Sequence, residues 1–254
     1  MMNFRKFIKL IILVNFVMCS PLVFSGELNN TNSFARKVGI YDLSAHNSES
    51  QSNLESVKQA MQVCGLPFIV SNQVEDVVQC AVVIATSTVY TTTLNVLEKN
   101  ELAEYVWNGG ILLLPKVRDT FFYPVLGITG YERKQTCHEM TWLMESLSSF
   151  KKWFNDPYEI TIRIFNPEKN TEGIITQSFT IDDASVLAEF DDGSPAITMN
   201  TYGKGMGIAL GFTFSDMILQ NLTNHDIYTQ RVYSNGFEPT TDTIYLFLLS
   251  IFEE

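Results

Sequence analysis

Apolar residues along this chain cluster in short runs separated by polar turns, and the spacing within the runs changes in a regular way. Val38-Gly39-Ile40-Tyr41 is a short apolar run that predicts a strand. Leu54, Val57, Met61 and Val63/Cys64 then recur at near-helical spacing, and Gly65 is placed to end that helix. Leu66-Pro67-Phe68-Ile69-Val70 predicts the next strand. Ala81-Val82-Val83-Ile84-Ala85 is continuously apolar, as expected of a strand covered on both faces. Thr91 to Trp107 carries a helical stripe of Leu94, Leu97, Leu102, Tyr105 and Val106, closed by Asn108-Gly109-Gly110. Ile111-Leu112-Leu113-Leu114 is another wholly apolar strand, stopped by Pro115. Strands alternating with helices through short connections predict βα units and a parallel sheet with helices on both faces.

The second half has a different rhythm. Glu159 to Phe165 alternates like a strand, and Val186 to Phe212 holds three strand-like stretches. Their separators, Asp191-Asp192-Gly193 and Tyr202-Gly203-Lys204-Gly205, are hairpin chemistry, because glycine supplies the positive φ of tight turns. Ser215 to Leu222 and Thr240 to Phe252 read as helices, with Ser215 and Thr240–Asp242 offering N-caps. There is no internal repeat.

The N-terminus follows another logic. Arg5, Lys6 and Lys9 precede an apolar run from Leu10 to Met18, followed by Pro21 and by Val23 and Ser25 at the −3/−1 positions before Gly26. These are the parts of a cleavable secretory signal, and the apolar core is short against the about 20 residues of a membrane span. The expected organisation is a signal peptide over 1–25, a polar lead-in over 26–36 and one α/β domain over 37–254. The expected location is secreted or periplasmic, with no stable membrane span after cleavage. An uncleaved anchor and lipid attachment at Cys19 are the alternatives, although Met18 is bulky where a lipoprotein signal needs a small residue.

Composition narrows the partners. The chain is 46% hydrophobic, enough for a sizeable core, and carries a net charge of −11 that deepens by three further units on loss of Arg5, Lys6 and Lys9. Such a charge repels nucleic acid and anionic membranes, so neither is an expected partner. Cys64, Cys80 and Cys137 remain after cleavage. Export permits disulfides, and a Cys64–Cys80 bridge and three buried thiols both stay open. No pair has the CxxC spacing of a zinc or thioredoxin-like site, and no cofactor is expected.

Several motifs invite catalytic readings. Phe190-Asp191-Asp192-Gly193 looks like the metal and base motif of NodB-type polysaccharide deacetylases, but that chemistry also needs two histidines about one helical turn apart. Only His46, His138 and His225 are present, and no two have that spacing. Tyr202-Gly203-Lys204-Gly205 lacks the Walker pattern. Cys137-His138-Glu139 puts thiol, imidazole and carboxylate side by side, but on a strand Cys137 and His138 point to opposite faces. Asp119, Glu132, His138, His225 and Asp226 meet only if the fold brings them together. Trp107, Trp142 and Trp153 are candidates either for stacking on sugars or for core packing.

Two stretches carry a family resemblance. Leu102 through Trp107, Asn108-Gly109-Gly110 and Ile111 through Pro115 is similar to the helix, Gly-Gly and strand of class I glutamine amidotransferase-like domains, including the trimerisation domain of family 42 β-galactosidases. Val186 through Ile197, followed by Tyr202-Gly203-Lys204-Gly205 and Ala209-Leu210-Gly211, resembles the closing hairpins of that domain. The segment from Asn221 through Asp242 resembles the region preceding the catalytic domain in secreted NodB-type proteins with an amidotransferase-like N-terminal domain. The resemblance implies a flavodoxin-like, amidotransferase-like α/β fold: an open parallel sheet with helices on both faces and C-terminal β-hairpins. Amidotransferases carry a nucleophilic cysteine in a Gly-x-Cys-x-Gly elbow after a strand. Here Pro115-Lys116-Val117-Arg118-Asp119 stands in that place, which implies a non-catalytic domain.

The expected function is therefore carbohydrate recognition or assembly at the cell envelope. Open α/β sheets bind ligands at the carboxyl ends of their strands, which nominates Asp42, His46, Thr86, Ser87, Arg118 and Asp119. The expected partners are a glycan, a second copy of the chain or a catalytic partner protein. The alternatives are a truncated or split deacetylase or hydrolase, and a purely structural oligomerisation module.

Overall fold

The computed structural model describes residues 35–46, 49–143, 161–163, 165–166, 171–172, 174–217 and 239–253. The expected signal peptide, the expected lead-in up to residue 34, Trp153 and the stretch holding His225 and Asp226 lie outside them. Five strands run parallel: β1 (Ala35–Tyr41), β2 (Phe68–Ser71), β3 (Cys80–Ala85), β4 (Ile111–Pro115) and β13 (Gly205–Leu210). β12 (Pro195–Tyr202), β11 (Ser185–Phe190), β6 (Glu139–Trp142) and β7 (Thr161–Arg163) extend the sheet antiparallel from β13. The resulting order is β2-β1-β3-β4-β13-β12-β11-β6-β7. The expected open α/β sheet with closing hairpins is the fold observed. β1 begins earlier than its apolar run suggests, because Ala35 pairs with Cys80 and the Arg36 guanidinium lies 6.0 Å from the Phe252 ring.

The alternation of side chains across the sheet separates two cores. Val38 and Ile40 of β1, Val82 and Ile84 of β3, Ile111 and Leu113 of β4, and Ile208 and Leu210 of β13 face one side. There they pack on α1 (Glu49–Cys64), α5 (Phe214–Met217) and α6 (Pro239–Glu253), through residues such as Val57, Met61, Phe214, Phe247 and Ile251. Tyr41, Val83, Ala85, Leu112, Leu114 and Ala209 face the other side, toward α2 (Val74–Val77), α3 (Val96–Trp107) and α4 (Tyr123–Leu126). Continuous apolar runs in β3 and β4 follow directly from this double covering.

Local chemistry sets the helix ends. α3 starts at Val96 rather than Thr91 because Asn95 and Glu98 form a reciprocal capping box. Asn95 Oδ1 accepts from the Leu97 and Glu98 amides at 2.8 and 3.1 Å, and Glu98 Oε2 accepts from the Asn95 amide at 2.7 Å. Near its end the Tyr105 hydroxyl is buried between strands, donating toward the Ala81 carbonyl at 2.8 Å and accepting from the Ile111 amide at 3.1 Å. Tyr105→Phe removes the acceptor of a buried amide and is expected to cost about 1–3 kcal/mol, read as a lower urea midpoint at unchanged slope.

The stretch after β4 forms a second layer. β5 (Ile128–Cys137) and β10 (Ile174–Ile181) pair antiparallel as a two-stranded ribbon. The ribbon reaches the end of the main sheet where the Gln177 amide donates to the Gly211 carbonyl at 2.7 Å and the Gln177 side-chain amide donates to the Val117 carbonyl. Residues 165–166 and 171–172 form a further small pair, β8 and β9.

Cys64, Cys80 and Cys137 are free thiols. Cys64 ends α1 and donates to the Tyr245 carbonyl of α6 at 3.6 Å, whereas Cys80 opens β3, so the open question of a bridge resolves as unpaired thiols. Burial pushes the Cys64 thiol up to about 12. Since the thiolate is the reacting form, Cys64 is expected to resist iodoacetamide at pH 8 in the native protein and to react once guanidinium is added, as mass spectrometry would show.

Candidate functional site

β1, β2 and β3 define the switch point of the sheet: the chain leaves β1 outward to β2, then returns to the other side of β1 as β3. Ligands of open α/β sheets bind outside the carboxyl ends of strands at such a point. Asp42 and Thr86 stand there, one residue past β1 and β3. The protein's own main chain occupies Thr86: its hydroxyl donates to the Tyr41 carbonyl at 3.2 Å and accepts from the Leu43 amide at 2.9 Å. Its carbonyl accepts from Asn53 Nδ2 at 2.7 Å, and Asn53 Oδ1 accepts from the Ser215 amide at 3.1 Å. This buried polar chain ties β1, β3, α1 and the segment after β13 together. Asp42 Oδ1 accepts from the Ser44 amide at 2.8 Å and caps the short 3-10 turn Ser44–His46, which places His46 beside the same edge. Ser87 is buried next to Thr86.

The loop after β4 carries three charged side chains, Lys116, Arg118 and Asp119. Lys116 has φ 45° in the left-handed region, a conformation that costs a non-glycine residue roughly 1–2 kcal/mol. It occupies the place where the amidotransferase resemblance puts an elbow, and presents an ammonium rather than a thiol. That ammonium pairs with Asp216 at 2.9 Å, and Asp216 also accepts from the Thr213 amide at 2.9 Å. Neither Lys116 nor Asp216 was nominated from sequence. The only signal available there was the single lysine directly after a buried strand.

Asp119 is 2% exposed and ion-paired with Lys99 of α3 at 2.6 Å. Its other oxygen accepts from the Phe121 amide, and Lys99 also donates to the Thr91 carbonyl at 2.8 Å. Asp119 is thus a buried anchor that fixes the loop to α3.

Arg118, its neighbour, points the other way. Its amide donates to the Val89 carbonyl at 2.8 Å, joining the loops after β3 and β4. Its guanidinium carbon lies 5.1 Å from the Tyr90 ring centroid and 5.8 Å from that of Tyr131. Both rings are 39% exposed, and Phe121 is exposed nearby in sequence. Burial raises the Tyr123 phenol above its usual range, with Tyr131 and Asp119 adding to the effect. Sequence periodicity could not find the cluster, because Tyr90 and Tyr131 come from a loop and from the ribbon.

The remaining motifs have structural roles. Gly193 (φ 79°) and Gly203 (φ 64°) sit in the tight turns expected of them. Asp192 pairs with Lys134 at 2.8 Å and accepts from the Ser194 amide at 3.0 Å, while Asp191 accepts from the His138 amide at 3.0 Å. The Lys134 bond, then those from Ser194, hold the Asp192 carboxyl down to about 2. A depressed carboxyl stabilises the fold above its unfolded value and loses that contribution as pH falls through about 2. Side-chain NMR of Asp192 is expected to titrate below the other surface carboxylates, and Lys134→Met to return it toward the ordinary range. Cys137 is buried against Thr176 at 2.9 Å, and His138 is exposed, so the two do not converge. Among the described residues no group of three or more His, Cys, Asp or Glu is placed to hold a metal ion. Trp142 is core, 5.2 Å from the Phe247 ring, and exposed Trp107 stands edge-on to Tyr202 at 5.4 Å, at the end of α3 that leads into the start of β4.

Sheet order, two-sided helical cover and closing hairpins define an α/β domain of the class I glutamine amidotransferase-like fold. Comparison with solved structures finds the same class. A ThuA-like protein from Bacteroides uniformis superposes with TM-score 0.55 at 13% identity, covering 90% of this chain and 94% of its own. A β-galactosidase from Bacillus circulans matches at TM-score 0.52 and 17% identity over 82% of this chain. A catalytic mutant of Gan42B, a family 42 β-galactosidase from G. stearothermophilus, matches at 0.51 and 16% over 82%. The chain spans 32% and 31% of those two enzymes' lengths. No protein-family model and no curated protein sequence matches the chain.

Proposed function

We propose that this domain is exported and acts by binding carbohydrate at the cell envelope, through the Arg118, Tyr90 and Tyr131 group at the carboxyl end of β4. The observation that carries this reading is the pair of half-exposed tyrosine rings flanking a guanidinium on a loop that a buried ion pair holds rigid. Sugars present apolar ring faces that stack on aromatic side chains and hydroxyls that accept from guanidinium. Tyrosine provides such a surface at low entropic cost, since it has few rotatable bonds. Similarity in fold to domains within β-galactosidases supports a carbohydrate setting. The basic-then-apolar N-terminus supports export.

A glycan array followed by calorimetry on the best binders tests the reading. Tyr90→Ala and Arg118→Ala are each expected to weaken binding at least about tenfold, the scale of one well-made contact. Unchanged affinity in both variants would remove the proposed site. Fractionation of expressing cells, with Edman sequencing of the product, is expected to give a mature chain beginning at Gly26; a retained N-terminus in the cytoplasm would overturn export.

A further inference from the structure

We infer that the saccharide recognised at Arg118 is an acidic one, bound through a carboxylate that pairs with the guanidinium; this rests on the carbohydrate-binding reading above. The argument is one of charge accounting within the site. Lys99 is neutralised by Asp119 and Lys116 by Asp216, so both neighbouring ammonium groups are internally paired. Among the described residues no carboxylate lies within ion-pair distance of Arg118. Its Nε is buried and, among the described residues, donates to no acceptor. A buried donor left unmade is costly, and the guanidinium fork matches a carboxylate better than any neutral hydroxyl does. The cation lies over the Tyr90 and Tyr131 rings, contacts that use none of its N–H donors. A uronate residue meets both demands: its ring stacks at Tyr90 or Tyr131 while its carboxylate takes the guanidinium. The net charge of −11 makes the surface as a whole repel such a ligand, so binding must be local to the Arg118 guanidinium.

The experiment is calorimetric titration of the full chain with trigalacturonate and with the same trisaccharide after reduction of its carboxyl groups. The acid is expected to bind at least tenfold more tightly, and more weakly as salt rises. Arg118→Met is expected to abolish that preference, Arg118→Lys to restore only part of it, and Tyr90→Ala to weaken both ligands alike. Circular dichroism melts confirm that each variant is folded. Equal binding of the acid and its reduced form overturns the acidic inference and leaves saccharide recognition standing. Binding of neither overturns both. A preference that survives Arg118→Met overturns the assignment to this residue. Displacement by inorganic phosphate at the same concentration as trigalacturonate overturns the saccharide in favour of a bare anion.

Discussion

Replacing Lys99 by methionine is expected to lower stability by about 3–5 kcal/mol, since it leaves the Asp119 carboxylate buried without its counter-charge. Asp119 is 2% exposed and cannot turn to solvent without dragging the loop after β4 with it. The loss should appear as a large drop in the guanidinium midpoint. Lys99→Met combined with Asp119→Leu tests the cause. With both charges gone the desolvation penalty disappears, so the double variant is expected to be clearly more stable than Lys99→Met. It should not return to the parent, because Asp119 also accepts from the Phe121 amide at 3.1 Å, a cap whose loss costs roughly 0.5–2 kcal/mol. A double variant as unstable as the single one would mean that Lys99 acts through packing of its stem rather than through charge. Sugar binding should weaken in Lys99→Met as well, since Arg118 is held by the same loop.

Gly211→Ala is the second large effect, about 3 kcal/mol and at the upper end for overpacking. A Cβ at this position would overlap the Gln177 carbonyl oxygen and press on the Ala196 carbonyl at 3.0 Å. Both are backbone atoms, so no side-chain rotamer relieves the clash. Gly211 also accepts from the Gln177 amide at 2.7 Å and donates to Ala196 at 2.8 Å, which makes it the point where the β5–β10 ribbon is fastened to the sheet. The alanine is expected to loosen the ribbon. Hydrogen exchange should therefore rise first at residues 128–137 and 174–181, before it rises in β3 and β4. Because Tyr131 rides on the ribbon, a change in ligand affinity should accompany it. Uniform exchange across all strands would show global destabilisation instead.

The strands legible from sequence were those whose burial is dictated by their own residues. Val82 to Ala85 and Ile111 to Leu114 have no polar face to offer, so they must lie inside a covered sheet. The three closing strands were legible because their glycine turns interrupt them at fixed points. The β5–β10 ribbon was not. Ile128 to Cys137 is mostly polar, and only pairing with β10 and fastening at Gly211 make it a strand. The site divides in the same way. Topology plus sequence selected the carboxyl ends of β1, β3 and β4, and so reached Arg118. Composition could not reveal that Thr86 is consumed by the Tyr41 carbonyl and Leu43 amide, or that Asp119 is consumed by Lys99, since those partners lie 45, 43 and 20 positions away along the chain.

Sequence by itself therefore determined the layered α/β class, the position of the turns and the edge of the sheet at which ligands are sought. These follow from hydrophobic periodicity and glycine conformation, which act within a few residues. Tertiary structure alone decided which polar groups at that edge remain available. Burial, hydrogen-bond satisfaction and charge pairing are properties of groups that meet only after folding. They spend the side chains of Asp42, Thr86 and Asp119 on holding the loops, and leave Arg118, over its two tyrosines, with no ion-pair partner among the described residues.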